Sequence, residues 1–481
     1  MNNSALHLSK QIIAALNSNS ISYCYWKNNH DLMKSLAGED DWDLLINKDH
    51  YSSFMRVIHS LGFKEAYNPK IYFPFISHFY GLDVETGKFL HLHVHLKIIT
   101  GESHTKNYHL PLEKMILDNT ISHPSGCKLP QPEVELIIFV LRYYIKISCI
   151  PGAILIWKRN RAFHEEFSAI YRNVDLNKTH TLLNSYFQYI SVRFFSEMID
   201  GYICKRTFRK RVLIGLKLRW KLSSLCRLGV VGSFVARYYQ IVYRIVNKLT
   251  FKEKKFLVTG GSIIAITGLD ATGKSTITSE LQRWLNAHFN TRFLHIGRPK
   301  ARLETLLFRA ILRLKKAKGV NSESSTTELK KQGIIFAIRY LVLAYERFQL
   351  LKIANCLRAN GYIVICDRYP SLNLGKMDSP RIGKVSNNNT LVKFMGRMED
   401  KLYRTMPVPD AIYNLKIPVD VAIKRNQLRV KDDKETDEQL RYRYDENSDL
   451  RYNALSFEVI DTSREFQVVM KELKEKIWVK L

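Results

Sequence analysis

Acidic residues are scarce in this chain: 45 Asp and Glu face 74 Lys and Arg, a formal net charge of +29. Such a surplus attracts anions, whether nucleotides, nucleic acid, anionic lipid or acidic polysaccharide. Paired cysteines are also missing. Cys24, Cys127, Cys149, Cys204, Cys226, Cys356 and Cys366 never fall as C-x-x-C. That argues against a disulfide framework or a zinc ribbon and suits thiols in a reducing cytoplasm. The first residues have neither the basic start nor the apolar core of a secretion signal. The greasiest stretch, 134–157, is broken by Glu135, Arg142, Lys146 and Pro151-Gly152, which a membrane-spanning helix does not tolerate. The expected location is cytoplasmic, with peripheral contact at the inner membrane surface. Internal repeats and low-complexity segments are absent too.

What is present is globular. Hydrophobic residues make up 46% and aromatics 11% of 481 residues, enough for two or three packed domains. Residues 1 to about 130 alternate helical and strand patterns, an α+β arrangement in which Glu85-Thr86-Gly87 joins two strands as a hairpin. Residues from about 131 to 255 are mostly helical, opened by Pro132 with Glu133 and Glu135. Within them, Lys205–Lys255 holds fifteen basic residues and one acid, Glu253. Apolar residues such as Leu213, Leu216 and Trp220 are interleaved, the composition of a basic amphipathic segment for an anionic membrane surface or glycan. Nucleic acid is not favoured as a partner, because no nucleic-acid module accompanies the charge. From about 256 onward, apolar β-branched runs alternate with helical segments, the pattern of a parallel sheet covered by helices.

The strand Ser262–Thr267 runs into Gly268-Leu269-Asp270-Ala271-Thr272-Gly273-Lys274-Ser275, and a helix follows through Thr276. Glycines at this spacing let backbone N–H groups curl around phosphate oxygens, and the helix start adds positive potential. Lys274 is placed to reach the β- and γ-phosphates of a nucleotide triphosphate, and Ser275 to offer a hydroxyl to Mg²⁺. A second strand ends in Cys366-Asp367-Arg368-Tyr369. A carboxylate there suits a metal-bound water or a base, and the neighbouring arginine a phosphate.

The combination of Thr267-Gly268-Leu269-Asp270-x-x-Gly273-Lys274-Ser275-Thr276 with Asp367-Arg368-Tyr369 resembles the thymidylate kinase family of P-loop kinases, over residues 256–481. Tyr345-Glu346-Arg347-Phe348-Gln349 resembles the segment carrying that family's arginine near the transferred phosphoryl group. The run from Val421–Lys424 to Arg425 and Arg429 is similar to its lid. The resemblance implies ATP and Mg²⁺ as cofactors and a sugar contact at Asp270. No charged residue stands at Ala271 or Thr272, so catalysis would draw positive charge from Arg425, Arg429, Arg441 and Arg443. After Ser371 the family's base-reading segment is missing, and Asp378 and Arg381 stand as candidates for a different acceptor pocket.

Near the N-terminus, Gly38-Glu39-Asp40-Asp41-Trp42-Asp43 puts Asp41 and Asp43 on one side of a strand, where two carboxylates can share a divalent metal. Over residues 20–120 the pattern resembles the nucleotidyltransferase superfamily, with two departures. Glu39 stands at the usual serine, and His91, His93 and His95 stand where a third carboxylate is expected, leaving Asp83 as a substitute. The histidines share one face, a set that a transition metal could use.

The fold expected is therefore α/β: a C-terminal P-loop kinase with a parallel sheet and flanking helices (256–481). It is preceded by an α+β nucleotidyltransferase-like domain (1–130) and a basic helical middle region (131–255). The function expected is ATP-dependent phosphorylation of a sugar, glycolipid or nucleotide. The resemblances imply a place in surface-polysaccharide metabolism and an N-terminal nucleotidyltransferase activity. The alternatives are a nucleoside monophosphate kinase and a switch-type NTPase. Oligomeric state is not fixed by these patterns.

Overall fold

A computed structural model describes residues 5–204, 207–250, 252–297, 299, 305, 333–384, 389–428, 436–447 and 449–481. The chain divides into two compact units, Met1–Glu253 and Lys254–Leu481.

In the first unit five strands form one sheet: β1 (Tyr23–Tyr25), β2 (Trp42–Ile46), β3 (Lys64–Tyr67), β4 (Ile76–Asp83) and β5 (Lys88–His95). Their order is β1-β2-β5-β4-β3. Only the β2–β5 pair is parallel. The expected hairpin closes β4 and β5 with Asp83 opposite Lys88. Asp83 holds the turn by accepting from the Thr86 amide (3.1 Å) and hydroxyl (2.7 Å). Strand alternation divides the two faces. Trp42, Leu44, Leu90, Leu92 and Val94 pack with Ile12, Leu16 and Phe54 of the His7–Ser18 and Tyr51–Ser60 helices. The opposite face carries the histidines.

The helical region does not build a layer of its own. Its central helix, Pro132–Ile147, starts with proline in the first turn and two glutamates near its positive end, an arrangement the helix dipole favours. That helix is almost wholly buried and shares one core with Cys24, Trp26 and Leu45 of the sheet. It and the next helix, Ile150–Lys158, are together apolar enough to span a membrane, but they are bent by 117°.

The second unit is a five-stranded sheet: β6 (Ser262–Gly268), β7 (Thr291–His295), β8 (Ile363–Asp367), β9 (Ala411–Lys416) and β10 (Phe457–Asp461). The order is β7-β8-β6-β9-β10, and every neighbouring pair is parallel. Strands buried on both faces need continuous apolar runs, and Ile263–Ile266 and Ile363–Cys366 provide them. The central strand is the one that enters the phosphate loop.

Candidate functional site

The loop between β6 and the Lys274–Asn286 helix holds three left-handed residues: Gly268 (φ 142°), Ala271 (φ 65°) and Gly273 (φ 88°). A side chain at Gly268 would meet the Leu415 carbonyl at 2.6 Å, so close strand packing as well as φ demands glycine there. Lys274 is buried, and its ammonium donates to the Leu269 carbonyl at 2.5 Å. Thr272 donates to the same carbonyl at 2.8 Å. Ser275 and Thr276 are exposed at the start of the helix.

Asp367 sits beside this loop because β8 pairs with β6, in register with Ile266. Its Oδ2 is 2.7 Å from Nδ1 of His295, the residue opposite it on β7. Its Oδ1 is buried without a hydrogen-bond partner among the described residues. Arg368 has φ of 69°, an unusual conformation for a residue with a side chain. Its guanidinium lies 3.3 Å from Asp270 and 3.3 Å from Asp378. Burial works against that charge, but Asp378 and then Asp270 outweigh it and hold the pKa above the ordinary value. A side chain at Gly297 would come within 2.4 Å of Arg368 Cδ, so that glycine makes room for the arginine.

Arg347, expected near the transferred phosphoryl group, is 4% exposed. It donates to Asp378 (2.5 Å), the Tyr403 hydroxyl (2.8 Å) and the carbonyls of Ile296 and Gly297 (3.3 and 3.2 Å). With its donors engaged, it orients Asp378. Tyr369, expected at the substrate, packs in the sheet core with its hydroxyl donating to the Pro407 carbonyl. Arg381 stacks 5.4 Å from the Tyr340 ring centre, and its backbone amide donates to buried Glu399 at 3.0 Å.

The expected lid arginines separate. Arg443 meets Asp270 at 2.9 Å, and the neighbouring Tyr444 hydroxyl donates to the Asp270 carbonyl at 2.8 Å. Arg425 donates to the Thr462 carbonyl at 2.8 Å, and Thr462 in turn donates to Thr272 in the phosphate loop at 3.0 Å. Arg441 pairs with Asp420 in solvent at 2.7 Å, and Arg429 lies outside the described residues. One cleft beside the loop is lined by Leu269, Asp270, Met377, Arg381, Leu440, Arg443, Tyr444, Glu446 and Asn447. A more apolar one adjoins it, along Gly268, Thr272, Asn414–Ile417 and Leu450. His295, Gly297, Tyr444 and Thr462 carried no motif in the sequence; only the sheet order brings them here.

The first unit has its own cluster. Asp43 is 4% exposed, and its Oδ1 lies 2.8 Å from Lys27 Nζ, 2.9 Å from His93 and 3.4 Å from His95. Burial alone would raise its pKa, but Lys27 and the two imidazoles hold it well below the carboxylate range. Burial pushes His93 down to about 4 and His95 well below the usual range, so both are neutral near pH 7. Asp41 is half exposed and bonds His91 at 2.5 Å. Ligand atoms of Asp43, His93 and His95 lie within 4.8 Å of one another, and His95 Nδ1 is buried without a partner among the described residues. Asp83 cannot supply a third carboxylate: Ile76, His78 and Tyr80 lie opposite the histidines, which puts Asp83 on the other face.

Around this cluster stand further cations. Lys27 Nζ and the Arg142 guanidinium flank the Trp26 ring at 5.1 and 5.5 Å. Lys106 and Lys146 are half-buried and pushed down to about 7, first by burial and then by nearby cations including Lys27 and Arg142. Among the described residues, Lys106, Arg142 and Lys146 have no carboxylate within ion-pair distance.

A five-stranded parallel sheet whose central strand ends in Gly-x-x-x-x-Gly-Lys-Ser, with an Asp-Arg pair on the next strand, defines a P-loop kinase-like nucleotide-binding unit. No protein-family model matches the chain. It is 26% identical over 188 residues to the "uncharacterized ATP-binding protein YghR" of Escherichia coli strain K12, covering 37% of this chain and 73% of that protein. It is 29% identical over 155 residues to the "uncharacterized ATP-binding protein YghS" of the same strain, 30% of this chain and 63% of that one. Among solved structures, a deoxyadenosine kinase from M. mycoides with bound dATP aligns at 19% identity and TM-score 0.28, over 45% of this chain and 98% of the other. A thymidylate kinase from Candida albicans aligns at 17% identity and TM-score 0.29, over 46% and 92%.

Proposed function

We propose that the C-terminal unit is an ATP-dependent phosphotransferase acting on a sugar, glycolipid or nucleotide acceptor. The observation that carries this reading is the buried Oδ1 of Asp367, which has no partner among the described residues, beside the phosphate loop. Curated relatives named as ATP-binding support the nucleotide half. Asp367 Oδ1 and the exposed Ser275 hydroxyl fit Mg²⁺, which when bound neutralises charge between the β- and γ-phosphates. Lys274 exchanges the Leu269 carbonyl for phosphate oxygens. Arg368 and Arg443, now paired to Asp270, line the path of the migrating group and stabilise its negative charge. Asp270 and Arg381 face the cleft in which an acceptor hydroxyl would lie.

The test is acceptor-dependent ADP release across dTMP, other nucleoside monophosphates, sugars and glycolipids. Release with a sugar or glycolipid, lost in Lys274→Ala, is the expected result. Release with monophosphates alone would make the protein a nucleoside monophosphate kinase. Slow hydrolysis indifferent to every acceptor would make it a switch-type NTPase.

For the first unit we propose a separate site for a phosphate-bearing ligand, supported by the half-buried cations Lys106, Arg142 and Lys146 that lack carboxylate partners. The resemblance to nucleotidyltransferases implied Mg²⁺ on Asp41 and Asp43. The donor set does not fit that ion, since Lys27 and two imidazoles already occupy Asp43, and neutral imidazoles prefer transition metals. In a Lys274→Ala background, residual binding of labelled nucleotide should fall about tenfold on Arg142→Ala with Lys146→Ala. No residual binding at all would sink this reading.

A further inference from the structure

The helix Val230–Leu249 is built inside out. Five polar positions recur every three or four residues along one side, Ser233, Arg237, Gln240, Arg244 and Asn247, and none of these is exposed, whereas Lys248 on the flank is. Ser233 is the helix's one buried residue. Arg237 meets Glu102 at 2.5 Å, Gln240 donates to the Lys70 carbonyl at 2.6 Å and Arg244 to the Ser103 carbonyl at 3.0 Å. Asn247 donates to the Glu253 carbonyl at 2.9 Å.

At 100° per residue, the opposite side is an apolar stripe. Val231 is 77% exposed, Val235 60%, Val242 58%, Ile245 55% and Leu249 74%. Phe234, Tyr238 and Tyr239 flank it, each at least half exposed. A surface helix ordinarily turns its apolar stripe to the core. Here the fold spends its polar side on anchoring and leaves a continuous apolar face in water, and so large a contiguous patch marks an interaction surface.

We propose that this face docks on an anionic lipid bilayer, with the helix lying in the plane of the interface. Charge complementarity selects the occupant: Arg237 and Arg244 are turned to the anchoring side, but Lys205–Lys255 as a whole carries fifteen basic residues and one acid, and the field of such a segment attracts anionic headgroups. Tyrosine and phenylalanine beside aliphatic residues are the side chains that settle at the headgroup boundary. No single described helix is long and apolar enough to cross a membrane, and the two-sided build of Val230–Leu249 suits a helix lying on the surface. Docking holds the chain at the interface where a lipid-linked acceptor would present its headgroup.

The test uses the full chain and sedimentation with phosphatidylcholine vesicles, with and without about one quarter phosphatidylglycerol. The expected result is binding to the anionic vesicles, weakened by salt. Val231→Asp, Val235→Asp and Val242→Asp together should lower partitioning about tenfold or more. Because these side chains support no core, the variant's circular dichroism and its denaturant unfolding midpoint should stay unchanged and report that the first unit is folded. Equal partitioning of the variant, or no binding to anionic vesicles, overturns the proposal. So does a dimer in solution that the triple variant converts to monomer, since a second copy would then be the occupant.

Discussion

Two carboxylates in this molecule have the same local setting. Asp43 faces His93 across a parallel strand pair, and Asp367 faces His295 across another, each in direct register. Each carboxylate oxygen lies within 2.9 Å of its imidazole. The surroundings then diverge. Asp43 has its Oδ1 shared by Lys27, His93 and His95, whereas Oδ1 of Asp367 is buried with no partner among the described residues. The same pair thus serves two ends. Where a half-buried lysine sits on the carboxylate its charge is neutralised in place, and where a buried oxygen is left open it can engage a ligand from outside.

The largest effect should come from the ion network that shapes the open site. Asp378→Ala leaves Arg347 buried and without its acid, a loss of about 3–5 kcal/mol, read from denaturant unfolding of the chain. A change under about 1 kcal/mol would mean that the network is decoration. Next, Asp367→Asn should lower acceptor-dependent ADP release on the order of 100-fold, while Asp43→Asn leaves it unaltered. An equal loss in both would merge the two sites into one reaction. A smaller effect tests that neutralisation directly: Lys27→Met should free Asp43 Oδ1 of its ammonium and tighten Co²⁺ binding about tenfold, visible in the metal's absorption bands. Unchanged affinity would show that Lys27 does not close the site.

The smallest effect is one of pH. His93 has its pKa pushed down to about 4 in the folded chain. As pH falls from the ordinary value near 6.5, the unfolded chain takes up that proton first. The stability His93 confers is therefore complete above about 6.5 and is lost as pH falls towards 4. Wild type should lose more stability across that window than His93→Gln. Parallel pH profiles would show that His93 is not buried as neutral imidazole.

The phosphate loop was legible in the sequence because its chemistry is local. Gly268, Gly273 and Lys274 act through backbone shape and one side chain within eight residues, and the flanking strand and helix follow from their own periodicity. Asp367 and Arg368 were legible as a strand end. Their partners were not, since His295 and Asp270 reach them only through the order in which strands pair. The surroundings of Tyr369 and Arg347 were not legible: one side chain packs in the core and the other gives its donors to Asp378, the Tyr403 hydroxyl and backbone carbonyls. The basic segment was legible as amphipathic, but which side of it faces water was not. Hydrophobic periodicity gives a stripe without its direction, and the contacts of Arg237, Gln240 and Arg244 reverse the usual one.

By itself, then, the sequence determined a parallel-sheet unit with a phosphate loop, an α+β unit with two acids on one strand face, and a strongly basic stretch between. These follow from spacing and alternation over a few residues. The tertiary structure alone decided that Lys27 neutralises Asp43 while Asp367 keeps an oxygen with no partner among the described residues, that the middle helices share a core with the first sheet, and that Val230–Leu249 turns its apolar side outward. Each of those depends on which distant segments pack together, and burial sets both the charge state and the available partners of a side chain once it is there.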